Sequence, residues 1–83
     1  SGVGATTAYR EKIVGAVANA VSILRSLAQM SEPAGVAVIA RDTGVSVSTC
    51  FNILRTLSTE RLVDFDAEAK TYRIGLGVLE LSL

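Results

Sequence analysis

The stretch that most constrains this chain is Gly44-Val45-Ser46 running into Val47–Thr59. Gly44 suits the left-handed conformation that follows a helix, and Ser46 can cap the next helix by accepting a bond from a backbone N–H in its first turn. At about 100° per residue, Val47, Cys50, Ile53, Leu54 and Leu57 share one face. Ser48, Thr49, Asn52, Arg55 and Thr56 share the other, and Phe51 sits on the border. One face is built to dock on a core. The other carries small hydroxyls, an amide and a guanidinium.

The flanking segments fit the same plan. From about Ala8 to Met30 the pattern predicts a long helix capped by Thr6 or Thr7, with Ile13, Val17, Ala20, Val21, Leu24, Leu27 and Ala28 at helical spacing. Its first half, Tyr9 to Ala16, is expected to project, and its apolar stripe either meets a partner helix or packs on the chain's own C-terminus. Ser31-Glu32-Pro33-Ala34-Gly35 breaks the helix. Val36 to Asp42 predicts a second, short helix with Val36, Ile39 and Ala40 inward. After the third helix, Leu62 to Phe65 reads as a strand with Val63 and Phe65 on one side. Ala67 to Lys70 is a turn, and Thr71 to Ile74 is a return strand with Tyr72 and Ile74 inward. Val78 to Leu83 reads as the opening of a further helix.

This order of elements predicts a mainly α (α+β) fold: a winged helix-turn-helix with a three-helix core, a two-stranded β-hairpin wing and the start of a C-terminal linker helix. The expected divisions are a flexible N-terminus over 1–7, the winged domain over 8–74, and the linker helix from 75 to 83. Eighty-three residues with an apolar fraction of 49 % can form one small core without staples.

Several chemistries lack their residues. There is no histidine and a single cysteine, so neither an intrachain disulfide nor a zinc site is expected, and a reducing cytoplasm is the simplest setting. Cys50 falls on the inward face, where a thiol acts as a small hydrophobe with no base to activate it. No nucleophile–base pair stands out, so neither catalysis nor a cofactor is expected. Gly75 and Gly77 follow no strand-to-helix pattern that would cradle a phosphate. No apolar run approaches the roughly 18 residues that span a membrane.

A polar helix face of this kind can read base edges in a DNA groove. Ser48, Thr49, Asn52 and Arg55 are the candidate base and phosphate contacts, with Ser46 and Val47 at the helix start. Asn can bond adenine through two hydrogen bonds and Arg can do the same with guanine. Phe51 either touches a thymine methyl or packs at the core edge. Lys70 and Arg73 are wing candidates for phosphate, although Asp64, Asp66 and Glu68 surround them. Arg41 either faces the DNA backbone or pairs with Asp42 or Glu32. Eight basic and eight acidic residues leave no net charge, which runs against the basic balance usual for such domains. The alternative function is therefore a winged helix used as a protein-interaction module.

The chain resembles the N-terminal domain of IclR-type bacterial transcription regulators over roughly Val17 to Leu81. Tyr72-Arg73-Ile74-Gly75-Leu76-Gly77-Val78-Leu79-Glu80-Leu81 is similar to the family's run Y-R-L-G followed by a leucine-rich linker helix. Ile39-Ala40-Arg41-Asp42-Thr43-Gly44-Val45 is similar to its second helix and turn. Ser48-Thr49, Leu54, Thr56-Leu57 and Leu62-Val63 fall where its recognition helix and first wing strand carry such residues, and Ala20 to Leu24 matches its first helix. The chain departs from the family at Asn19 and Asn52, where arginine is common, and at Ser46, where proline is common. The resemblance implies binding to a pseudo-palindromic double-stranded DNA operator as a homodimer or higher homo-oligomer. It also implies control by a small-molecule effector through a C-terminal domain that this chain lacks.

Overall fold

The computed structural model describes residues 13–82. The elements run α1 (Gly15–Gln29), α2 (Val36–Thr43), α3 (Val47–Thr59), β1 (Val63–Asp66), β2 (Thr71–Ile74) and α4 (Gly77–Ser82). Three helices surround one core and an antiparallel two-stranded hairpin closes it, which is a winged helix-turn-helix.

Helix α1 starts later than the apolar spacing suggests. Val14 is its extended N-cap, and the Ala18 amide donates to the Val14 carbonyl at 3.1 Å. Val14 offers no side-chain acceptor, so the helix begins without a polar cap. The expected start near Ala8 and the cap at Thr6 or Thr7 lie outside the described residues. Ile13 and Val14, expected to be helical, precede the helix. The buried side is also rotated from the expected stripe: Leu27 is buried as expected, but Ile23 and Ser26 are buried with it, whereas Val17, Val21 and Ala28 are exposed. A polar residue accounts for the difference. Ser26 donates from its hydroxyl to Asp42 Oδ2 at 2.6 Å, which lets a serine sit in the α1–α2 contact with its hydrogen bond satisfied.

Helix α2 ends at Gly44, whose φ of 76° is the left-handed conformation that a Cβ would strain. The Gly44 amide donates to the Ala40 carbonyl, while the Thr43 hydroxyl donates to the Ile39 carbonyl and accepts from the Val45 amide. Only Gly44, Val45 and Ser46 separate α2 from α3, so the two helices form a helix-turn-helix. Ser46 Oγ accepts from the Thr49 amide at 3.4 Å, as its position suggests. The Cys50, Leu54 and Leu57 side chains of α3 are buried with Ile23, Leu27, Ile39, Ala40, Val63 and Tyr72 in a single core. Burying one such aliphatic side chain contributes about 1.5–3 kcal/mol. Val47 departs from the expected core face: it opens the first turn of α3, directly after the Ser46 cap, and is 53 % exposed.

The far end of α3 is closed by hydrogen bonds from the second and third residues after it. The Arg61 amide donates to the Ser58 carbonyl and the Leu62 amide to the Leu57 carbonyl, with Arg61 at φ 67°. This pairing satisfies carbonyls that the last helical turn leaves open, and it turns the chain into β1. The strands then pair Val63 with Ile74, Asp64 with Arg73, Phe65 with Tyr72 and Asp66 with Thr71. Strand β1 is shifted by one residue from the expected Leu62–Phe65. At the tip, Asp66 Oδ1 accepts from the Glu68 and Ala69 amides, and Lys70 has φ 57°.

The segment between α1 and α2, expected only to break the helix, also joins the sheet. Ala34 and Tyr72 exchange backbone hydrogen bonds of 3.0 and 2.7 Å. This bridge ties the wing back to the helical core through the buried Tyr72.

Candidate nucleic-acid interface

Helix α3 is held by its inner face, and the hydrophilic row therefore has only one direction to point. Ser48, Thr49, Asn52, Arg55 and Thr56 are all exposed. Two hydroxyls on the helix are tied to its own backbone: Thr56 Oγ1 donates to the Asn52 carbonyl and Thr59 Oγ1 to the Arg55 carbonyl, each at 3.1 Å. Such back-bonding removes those donors from outward recognition. Ser48, Thr49, Asn52 and Arg55 remain as the outward polar set. At the helix start the Ser46 cap occupies the Thr49 amide, and the Cys50 amide donates to the Ser46 carbonyl. The amides of Val47 and Ser48 come before the first intrahelical donor, Cys50, and have no acceptor within the helix, as is general for helix N-terminal amides.

Phe51 belongs to neither extreme. It is 42 % exposed, on the side of α3 that faces the wing. The Arg55 guanidinium lies over its ring, 5.8 Å from the centroid. The Phe65 and Tyr72 rings stack across the hairpin at 4.7 Å, tilted by 35°. Together Phe51, Arg55, Ser58, Phe65 and Tyr72 line a groove of about 340 Å³ between α3 and the wing. Phe65 is expected beside Val63 on the inner side of β1. It does share that face, but it lies beyond the core's edge and is 46 % exposed. Ser58 Oγ is buried beside this groove with no hydrogen-bond partner among the described residues.

The remaining candidates are spread around this face. Arg41 is exposed in the last turn of α2, and Asp42 beside it is engaged by Ser26. Lys70 is exposed at the wing tip, and Arg73 is exposed on β2 opposite Asp64. None of the three lines the groove beside Phe51 and Arg55. The acidic residues of the hairpin lie among them, as the sequence suggests.

Phe65 and Ser58 are the groove residues that sequence reading passes over. The available signal was the register of the hairpin, since a Phe directly opposite a Tyr shares its face. Ser58 follows Arg55 by three positions and Phe51 by seven, a spacing that returns to one side of a helix.

Titration adds little to this surface. Burial pushes the Cys50 thiol up, and burial with the Cys50 charge pushes the Tyr72 hydroxyl up against the opposing pull of Arg55. Both groups stay protonated at neutral pH. Among the described residues no three His, Cys, Asp or Glu side chains converge as metal ligands, and no helix is long and apolar enough to cross a membrane.

Comparison with known proteins agrees with this geometry. Residues 16–67 match the IclR helix-turn-helix domain. A transcriptional regulator from Alicyclobacillus acidocaldarius is 31 % identical with a TM-score of 0.78, over 83 % of this chain and 28 % of that one. An IclR family transcriptional regulator from Brucella abortus is 27 % identical with a TM-score of 0.80, over 86 % of this chain and 27 % of its own. HmgR from Pseudomonas aeruginosa shares the fold at 24 % identity and a TM-score of 0.74, over 84 % of this chain and 30 % of its own. No curated protein matches the chain in sequence. The chain thus spans less than a third of the length of each of these three structures. The matched region takes in all of α2, α3 and β1, and with it every outward residue of the helix-turn-helix, so this chain belongs to the IclR family of winged helix-turn-helix DNA-binding domains, which are regulatory and non-catalytic.

Proposed function

We propose that this chain binds double-stranded DNA in a sequence-specific manner, as the DNA-binding part of a bacterial IclR-type transcription regulator in the cytoplasm. The observation that carries the reading is the exposed row Ser48, Thr49, Asn52 and Arg55 on a helix whose opposite face is fixed in the core. In this reading α3 lies in the major groove, α2 crosses the backbone and the hairpin rests against a neighbouring groove or phosphate. Asn52 reads adenine and Arg55 reads guanine, each pair contributing about 1–3 kcal/mol of discrimination. Ser46, Ser48, Thr49 and the amides of Val47 and Ser48 hold phosphate at the helix start. Arg41, Lys70 and Arg73 add phosphate contacts at the periphery.

A single module of this size buries only about 600–1,000 Å² on DNA. With no net charge, one copy should bind weakly. A homodimer is supported by apolar side chains left exposed on α1 (Val17 and Val21) and around α4 (Leu76, Leu79 and Leu81). A two-fold dimer requires a pseudo-palindromic operator with half-sites ~34 Å apart or a multiple of that. Control by a small-molecule effector falls to a separate C-terminal domain reached through α4.

The test is titration of duplexes selected from a random pool, at low and moderate salt. The expected result is a binding constant that falls steeply with salt and falls again in Arg55→Ala. A second reading, a protein-interaction module, is favoured by Asp64, Asp66 and Glu68 on the hairpin and by the balanced charge. Salt-independent silence on DNA, together with capture of a protein partner, would establish it instead.

A further inference from the structure

Hydrogen bonds cannot be the whole of recognition on α3, because part of its outward surface has none to offer. Val47 and Phe51 are one turn apart, both exposed, and Arg55 follows one turn later. The row Val47, Phe51, Arg55 therefore presents two apolar side chains and then a guanidinium along one edge of the helix. This edge borders the groove between α3 and the wing, where Phe65 and Tyr72 supply further aromatic surface. The Arg55 guanidinium lies over the Phe51 ring, 5.8 Å from its centroid, and Arg55 lines the same groove.

The ligand proposed for this face is double-stranded DNA, and the inference rests on that reading. In the major groove of B-DNA the only apolar group on a base edge is the 5-methyl of thymine. Guanine offers the two acceptors that match a guanidinium. An exposed Phe next to an Arg is thus complementary to a thymine methyl next to a guanine. One turn of helix advances about 5.4 Å. Successive base pairs are about 3.4 Å apart, so the two contacts fall within two base pairs of each other. Contact of the guanidinium with the Phe51 ring, 5.8 Å from its centroid, favours the Arg55 rotamers that place it there, which lowers the entropy lost when its fork bonds the base.

We infer that Phe51 and Arg55 act as one reading element, with Phe51 against a thymine methyl and Arg55 on a guanine within two base pairs of it. Val47 extends the apolar edge toward the start of α3. Asn52, on the opposite flank of the outward face, reads an adjacent position independently.

The experiment is a scan of the selected duplex in which each thymine is replaced singly by uracil. This substitution deletes the methyl and leaves the hydrogen-bonding edge unchanged. Binding of the unaltered chain is expected to weaken about fourfold at one thymine per half-site, the effect of losing one buried methyl. That thymine should lie within two base pairs of the guanine whose replacement is most damaging. The uracil penalty at that position should vanish in Phe51→Ala and persist in Asn52→Ala. Uniform tolerance of uracil by a chain that still binds its duplex overturns the inference, and so does a penalty unchanged in Phe51→Ala. Neither result touches the DNA-binding reading, which fails only if the unaltered chain shows no salt-sensitive binding. The scan on the unaltered chain needs no variant, so it tests the inference whether or not Phe51→Ala folds.

Discussion

The Gly77 amide donates a 3.0 Å hydrogen bond to the Arg61 carbonyl, tying the start of α4 to the turn that closes α3. Gly75 does the same one step earlier, donating to the Leu62 carbonyl at 2.9 Å. The two glycines seat the C-terminal helix on the turn that follows α3. Their value is lack of bulk. A Cβ on Gly77 would overlap the Arg61 carbonyl oxygen, and one on Gly75 would sit 2.7 Å from the same atom.

Gly77→Ala is therefore expected to lift α4 from its seat and cost about 1–3 kcal/mol, since backbone must move to admit the methyl. A lower Tm and faster amide exchange at Gly75 and Gly77, with slow exchange retained in α3, would show this. An unchanged Tm would mean that the seat gives way without cost.

Arg61 holds a left-handed φ of 67° at the position after a helix that glycine usually occupies. Arg61→Gly relieves the steric cost of that conformation while adding freedom to the unfolded chain. The hydrogen bonds of the turn are made by backbone and survive. Stability should rise by about 0.5–1 kcal/mol, read as a few degrees in Tm. A fall would show that the arginine side chain holds the turn in a way its backbone geometry does not reveal.

Stability should also respond to alkaline pH. Cys50 and Tyr72 are both raised by burial in the folded chain. Above their ordinary values the unfolded chain has released protons that the folded chain still binds. Unfolding then becomes more favourable as pH rises. The contribution is fully present below the unfolded thiol's value near pH 8.5 and is lost as pH climbs through the raised values. Denaturant melts should lose midpoint steadily from about pH 8.5 upward. Cys50→Ala should flatten the early part of that slope.

Helices α2 and α3 were legible in the sequence because three local signals coincide there: Gly44 as a left-handed stop, Ser46 as a cap, and a clean apolar face at Cys50, Leu54 and Leu57. The return strand was legible for a similar reason, as Tyr72 and Ile74 alternate with Thr71 and Arg73. Helix α1 was less so. It carries apolar residues on two sides, and period alone cannot decide whether Val17 and Val21 or Ile23 and Ser26 turn inward with Leu27. A long-range hydrogen bond from Ser26 to Asp42 favours the second arrangement, and it leaves no periodic trace. The outward residues of α3 could be listed from the sequence, but the groove could not, because Phe65 reaches Phe51 and Arg55 only through the register of the hairpin.

Ser58→Ala isolates one consequence of that groove. Ser58 Oγ is buried and has no hydrogen-bond partner among the described residues, so folding removed it from water without supplying a protein partner. An unsatisfied buried hydroxyl typically costs about 1–3 kcal/mol. Its removal should leave Tm unchanged or raise it, while serine to alanine at a satisfied site such as Ser26 should lower Tm by about 1 kcal/mol equivalent. The pair of variants is its own control, since both delete one oxygen from a helix that packs on the same core. If Ser58→Ala destabilises as much as Ser26→Ala, the Ser58 hydroxyl has a partner in solution, and the groove beside it is wet rather than a dry aromatic wall.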